Sequence, residues 1–174
     1  MIHLIGGRGQ LGSKIKFLID SKNVQFDDEI FIYHTWQVID KSEDIQKLEY
    51  DKFVNFVDNH IDEKIVFIST YSQKDNFYNY YKQLSESYLI LNCKKCLIVR
   101  LPTIIGKGVI EKMRNDEIEP YGMMELITIE DASMGVIKSI DKINKGLSKV
   151  IKISGEKASA KLVYNIIHSD KDRT

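Results

Sequence analysis

The sequence predicts an α/β fold, a mostly parallel sheet of about five strands with helices packed on both faces. Three observations carry that expectation. The chain opens on a short apolar run that ends in glycines and passes directly into an amphipathic pattern. Strand-like and helix-like segments then alternate to the end, and the strand-like ones are near-continuous apolar runs, as strands buried on both faces are. With 174 residues and no internal repeat, low-complexity stretch or linker, residues 1–174 read as a single domain large enough to bury a core.

Ile2, Leu4 and Ile5 suit the first strand, and Leu11, Ile15, Leu18 and Ile19 recur at helical spacing. Gly6, Gly9 and Gly12 stand between them. Glycines in a strand-turn-helix setting let the backbone approach a pyrophosphate while the helix N-terminus offers N–H groups, which separates a dinucleotide fingerprint from a chance pattern. A strand-like piece, Val24-Gln25-Phe26, precedes an acidic stretch, and Ile30 to His34 is the second core strand. The next helix covers residues 42–60, with Phe53, Phe56 and Val57 on one face, and leads to a third strand over Ile65 to Ile68. A tyrosine-rich helix over 76–92 follows, with Leu84, Tyr88 and Leu91 marking its core face.

Cys96 to Leu101 is the fourth strand, stopped by Pro102 and followed by a glycine turn at Gly106 and Gly108. Residues 109–130 are charged and weakly patterned, a short helix and loop leading to a small accessory strand over 125–129. Asp131 suits a helix N-cap, Val136, Ile140 and Ile143 the apolar stripe, and Gly146 the C′ position. Val150 to Ile153 is the fifth strand, Ser159 to Ile167 a last helix carrying Leu162, Val163 and Ile166, and residues 169–174 a polar tail.

Lys and Arg number 25 and so do Asp and Glu, so the chain carries no basic footprint for nucleic acid or an anionic membrane. The chain begins in a strand and holds no apolar run of membrane-spanning length, which makes the cytoplasm the expected location. Cys93 and Cys96 leave metal or redox work open, but without a second ligand pair the plainer reading is two reduced structural thiols, and no metal is expected.

Chemistry is concentrated after the third strand. Thr70 ends it, and Tyr78 and Lys82, four residues apart, share a helix face. A phenol beside an ammonium exchanges a proton with a substrate hydroxyl or carbonyl, and a strand-end hydroxyl holds that oxygen. Tyr and Lys at this spacing also make ordinary solvated helix faces; the place of this pair, downstream of the glycine turn, favours the chemical reading.

These residues, in this order, resemble the extended short-chain dehydrogenase/reductases, which include nucleotide-sugar epimerases, dehydratases and reductases. Gly6-x-x-Gly9-x-x-Gly12 matches the family's glycine motif, and Gly9-Gln10-Leu11-Gly12 resembles its dTDP-4-dehydrorhamnose reductase branch. Tyr33-His34-Thr35-Trp36 stands where the family ends a strand in His-Leu-Ala, Tyr78, Lys82 and Glu86 reproduce its Tyr-x-x-x-Lys-x-x-x-Glu helix, and Arg100-Leu101-Pro102-Thr103 resembles the strand and turn on its nicotinamide side.

The resemblance implies a Rossmann-like three-layer sandwich and an NAD or NADP cofactor. Tyr78 would be the acid/base, Lys82 would bind the nicotinamide ribose and depress the Tyr78 pKa, and Thr70 would hold the reacting oxygen. Gly6, Arg8, Gly9, Gln10, Leu11 and Gly12 would surround the pyrophosphate, His34 and Thr35 at the end of the second strand would also contact the cofactor, and Pro102 and Thr103 would lie on its nicotinamide side. Arg8 would favour a 2′-phosphate unless it is simply solvated. The implied substrate is a small molecule, a nucleotide sugar.

Only Ser21 to Glu29 stands where the family has two further strands, so part of the adenosine-binding half is missing. Asp27 reads as a ribose-binding acid or, more plainly, as a turn residue. A right-handed crossover straight to Ile30 would carry the first helix to the opposite face. Either a remnant strand survives, or the helix is re-routed, or partners exchange elements. The substrate side, 109–130, is also short, and apolar surface left by the shortened sheet suits a homodimer. Two functions remain open: an NAD(P)-dependent enzyme, or a truncated relative without cofactor that acts as a binding or assembly protein or as a cofactor-independent acid/base catalyst.

Overall fold

The computed structural model describes residues 1–21, 29–72, 74–106, 108–144 and 149–169. Val24 to Phe26, Asp27, Gly146 and residues 170–174 lie outside the described residues. The chain runs through β1 (Ile2–Ile5), α1 (Gln10–Ser21), β2 (Ile30–Tyr33), α2 (Glu43–Asn59), β3 (Lys64–Thr70), α3 (Phe77–Asn92), β4 (Cys96–Leu101) and β5 (Thr103–Ile104). It continues through α4 (Val109–Arg114), β6 (Met123–Ile127), α5 (Ile129–Asn144), β7 (Val150–Lys152), β8 (Glu156–Ser159) and α6 (Ala160–Ser169).

Five strands form one parallel sheet in the order β1-β2-β3-β4-β7, the predicted architecture. Alternation along each strand divides its side chains between two cores. Ile32, Val66, Ile68, Leu97 and Val99 join Leu11, Ile15 and Leu18 of α1 and Val136 and Ile140 of α5 on one face. Tyr33, Ile65, Phe67 and Ile98 join Phe53 and Val57 of α2 and Leu89 of α3 on the other. The sheet is thus a middle layer, as its apolar runs require.

Helix α1 lies on the first face against α5, whereas α2 and α3 lie on the second. Residues 22–28, which join α1 to β2 and on which the three routes left open by the sequence depend, lie outside the described residues. The apolar stripe holds α1 where it is: moving it would expose Leu11, Ile15 and Leu18 and uncover Val136 and Ile140.

Three short strands make a second sheet, β5-β6-β8, with β5 parallel and β8 antiparallel to β6. The expected accessory strand is β6, two residues earlier than read. Thr103–Ile104 and Glu156–Ser159 are additional strands, too short to show a period in sequence. Glu125 fastens this sheet to the first: its carboxylate accepts from the Gly155 N–H at 2.8 Å and stands 3.5 Å from the Lys152 ammonium.

Two helix expectations are corrected. Helix α5 starts at Ile129, not at Asp131, because Thr128 Oγ1 accepts the Asp131 N–H at 3.0 Å and donates to its carboxylate at 2.7 Å, a reciprocal cap. In α3, Leu91 is 83% exposed, and the buried face is instead Tyr81, Lys82, Ser85, Glu86 and Leu89. Each polar member has a partner inside: Lys82 meets the Ile68 carbonyl, Ser85 the Tyr81 carbonyl, and Glu86 the Arg100 guanidinium.

Phe53 is fully buried, its ring 4.4 Å from that of Phe67 and 4.9 Å from that of Tyr33. Phe53→Ala should cost about 3–5 kcal/mol through the cavity it leaves, read as a lower midpoint in urea unfolding.

Candidate functional site

Three segments meet at the C-terminal ends of β1, β2 and β3: the glycine turn with the start of α1, the strap over residues 34–42 that leaves β2, and the first turns of α3. The two backbone N–H groups of His34 and Thr35 both donate to the Ile5 carbonyl, at 2.8 and 3.1 Å, which draws the strap onto the turn. At that contact Gly6 has φ +97°, and a Cβ there would stand 2.5 Å from the Thr35 nitrogen. Only glycine fits. A Cβ on Gly12 would stand 2.6 Å from the Gly6 carbonyl oxygen, so Gly12 sets how closely α1 packs on the strand. Gly9 is different, because a Cβ there meets nothing within 4 Å. Two glycines are packed and the middle one faces open space, the arrangement by which a backbone admits a phosphate.

The other predicted turn residues divide. The Leu11 side chain is in the core, leaving only its backbone for the turn. Gln10 lies against the turn after β5, where a Cβ on Gly106 would meet its Oε1 at 2.7 Å. Arg8 is exposed and borders a groove of about 310 Å³ along β1 and α1, with Ile2, Leu4 and Ile19 as its wall and Lys16 and Asp20 beside them. Pro102 joins the two sheets, and Thr103 opens β5 of the second, opposite Leu126.

Asn76 caps α3, its Oδ1 accepting the Asn79 N–H at 2.9 Å. One turn on, Lys82 is 4% exposed. Its ammonium donates to the Ile68 carbonyl at 2.8 Å and lies 4.4 Å from the ring centroids of both Trp36 and Phe67. Burial pushes its pKa down to about 7, with the Glu86 and Glu49 charges pulling the other way. Burial, then the Lys82 charge, holds His34 down at about 4, so its imidazole is neutral at physiological pH. Burial pushes the Tyr78 phenol up to about 12. Lys82 was expected to lower that value, but its ammonium is bonded to Ile68, and the cation over the Tyr78 ring is Lys41, at 5.5 Å. Thr70 Oγ1 accepts the Ser72 N–H at 3.1 Å. The fold thus brings the glycine turn, His34, Thr35 and Lys82 to one end of the sheet, with Thr70 and Tyr78 on the adjoining strand end and helix.

The sequence reading did not single out Trp36, Gln46 or Glu49 as site residues. Gln46 is fully buried; its Oε1 accepts the Trp36 indole N–H at 2.8 Å, and its amide donates to the carbonyls of Gln37 at 2.9 Å and Asp40 at 2.5 Å. Glu49 accepts the Gln37 N–H at 3.3 Å. A signal was available, since Gln46 and Glu49 fall on the same helical stripe as Phe53 and Val57.

No protein-family model and no curated protein matches the chain. Solved structures do. A dTDP-4-dehydrorhamnose reductase of Clostridium acetobutylicum superposes with a TM-score of 0.76 at 18% identity, over 98% of this chain and 80% of that one. The fold is that of the nucleotide-sugar reductases and epimerases. A dTDP-4-dehydrorhamnose reductase of Bacillus anthracis, solved in complex with NADP, aligns at TM-score 0.70 and 16% identity over 98% and 80% of the two chains. The Bordetella bronchiseptica enzyme WbmH, solved with NAD⁺, aligns at 0.72 and 11% identity over 98% and 81%. The similarity runs nearly end to end, as the order of the motifs implies. Among the described residues no helix is long and apolar enough to cross a membrane.

The two kinds of glycine separate in an unfolding experiment. Gly6→Ala should lose at least about 2 kcal/mol of stability to the strained φ and the Thr35 clash, whereas Gly9→Ala should stay within about 0.5 kcal/mol of the parent. Lys82 governs a pH dependence. The unfolded lysine titrates near its ordinary 10.5 and the folded one near 7, so between those values the unfolded chain holds the extra proton. Stability should therefore rise with pH above about 7, by up to about 1.4 kcal/mol per pH unit, and this contribution should be flat below it. Urea unfolding at pH 6.5, 8 and 9 should show that slope, and Lys82→Met should abolish it.

Proposed function

We propose that this protein is an NAD(P)-dependent oxidoreductase or epimerase-type enzyme acting on a nucleotide sugar or a related carbonyl or hydroxyl substrate. The observation that carries the reading is the open face of Gly9 between two packed glycines, at the same sheet end as Lys82. The solved structures of this fold with NADP and NAD⁺ support it. The residues fit the phosphate part of such a cofactor: the Gly6 to Gly12 turn and the start of α1 would hold the pyrophosphate, and Arg8 with Lys16, beside the groove along β1, would favour a 2′-phosphate. His34 and Thr35 would line the path from that turn toward Lys82.

When bound, the cofactor supplies or accepts a hydride. The chain's own residues move the proton and hold the oxygen. Tyr78, a neutral phenol at pH 7, would give its proton to a carbonyl oxygen during reduction and take one from a hydroxyl during oxidation. Thr70 Oγ1 would hold that oxygen, and Lys82 would bind the ribose and supply positive charge. A second subunit would complete the short wall of the substrate side, and the protein would work in the cytoplasm.

A second reading has its own observations. Lys82 lies beneath Trp36, and β1, among the described residues, pairs with β2 alone, where the family has further strands. Both suit a chain that has given up the cofactor and serves as a binding or assembly protein or a cofactor-independent acid/base catalyst.

Calorimetric titration with NAD⁺, NADH, NADP⁺ and NADPH decides between them. The enzyme reading expects saturable binding of one pair, weakened in Gly9→Ala; no heat from any at millimolar concentration supports the second. Under the first reading, Tyr78→Phe should lower turnover of a nucleotide sugar by at least about 10²-fold while leaving the urea midpoint unchanged.

A further inference from the structure

Lys82 is covered in an unusual way. Its helix and strand account for one side, through the Ile68 carbonyl and the Phe67 ring, and these belong to the rigid core. The other ring over the ammonium comes from the strap that leaves β2, a stretch without helix or strand. Trp36 is half-buried, so the indole that covers Lys82 also keeps part of its surface in water. The indole also stands 6.0 Å from Phe67 and 6.5 Å from Phe53, which seats it at the rim of the aromatic core rather than inside it.

Past Thr35, the side-chain hydrogen bonds that tie the strap to other elements come, among the described residues, from one helix, α2. A single side chain, Gln46, makes three of them, to the Trp36 indole and to the Gln37 and Asp40 carbonyls, and Glu49 adds a fourth through the Gln37 N–H. Beyond Trp36 the strap is exposed: Val38 is 52% and Ile39 75% accessible. Releasing residues 36–40 from α2 would uncover Lys82 without disturbing any strand of the sheet, because β2 ends at Tyr33 and the strap's bonds to the Ile5 carbonyl lie before Trp36.

We propose that Trp36 is a plug over Lys82, latched by Gln46, and that a ligand reaches the Lys82 amine only when residues 36–40 swing off α2. The plug makes Lys82 a conditional binding group. In the closed form its ammonium is satisfied by a carbonyl and two ring faces; in the open form its free donors turn to a hydroxyl-bearing ligand such as a ribose. Only the identity of that ligand rests on the cofactor reading above. The closed state lowers apparent affinity by the fraction of molecules that are open, so removing the plug raises it.

The test reads the amine directly. Wild type, Trp36→Ala and Trp36→Phe are treated with formaldehyde and cyanoborohydride, and methylation at each lysine is followed by peptide mass spectrometry, with circular dichroism confirming that each variant is folded. Lys82 in the wild type should react at least about tenfold more slowly than exposed Lys47, as a site reached only by local opening does. Trp36→Ala should bring it to within about threefold of Lys47, and Trp36→Phe, which keeps a ring over the amine, should stay protected. Fast labelling of the wild type, or undiminished protection in folded Trp36→Ala, overturns the plug. NADPH titration of the same proteins separates the two proposals. At least about tenfold tighter binding to Trp36→Ala supports both, and loss of protection without NADPH binding by any variant leaves the plug standing and counts against NADPH as its ligand. NADPH that binds wild type and Trp36→Ala equally overturns the plug as a gate. Trp36 is the chain's one tryptophan, so its fluorescence reports the opening without a label.

Discussion

An ammonium group taken out of water must be compensated on every side, and in this protein that requirement falls on Lys82. Its compensation reaches into each part of the site: the Ile68 carbonyl fixes the distance between α3 and β3, Phe67 belongs to the aromatic core, and Trp36 brings in the strap from β2. One turn further along α3, Glu86 is held by the Arg100 guanidinium and couples the same helix to β4. The buried face of α3 is polar for this reason. Beside Leu89, which packs into the aromatic core, it carries an ion-bearing seam, and such seams cost desolvation unless every member is paired.

The glycine turn is the second constraint, and it acts through shape. Gly6 allows the Thr35 backbone to come within contact of the turn, and Gly12 allows α1 to settle against it. Those two approaches bring the strap to the N-terminal end of α1, while the bonds from Gln46 hold the far end of the strap on α2. A single nine-residue connection thereby touches both halves of the proposed site. Burial at this position lowers both groups, Lys82 to near its titration point at physiological pH and His34 to a neutral imidazole, with the Lys82 charge adding to the effect on His34.

The first edge of the sheet has a different consequence. Among the described residues β1 pairs with β2 alone, and α1 lies on the first face, where Leu11, Ile15 and Leu18 share one apolar stripe with Val136 and Ile140 of α5. Water exclusion over those side chains, at about 1.5–3 kcal/mol for each one fully buried, holds the helix there.

The amino-acid sequence by itself determined the elements whose signal is local. Apolar runs gave the five parallel strands, the 3.6-residue period gave α1, α2 and α5, and the order of glycine turn, Thr70, Tyr78 and Lys82 gave the fold that the solved structures share. Only the tertiary structure decided what depends on partners distant in sequence. The buried face of α3 departs from its apolar period because Lys82 and Glu86 are buried through bonds to Ile68 and Arg100, and Ser85 through one to its own helix, which no hydrophobic period encodes. The strands β5 and β8 exist because β6 pairs with them, and two to four residues carry no period of their own. The cover of Trp36 over Lys82 joins residues 46 positions apart, and a polar latch such as Gln46 becomes legible only when the strap it holds is seen beside it.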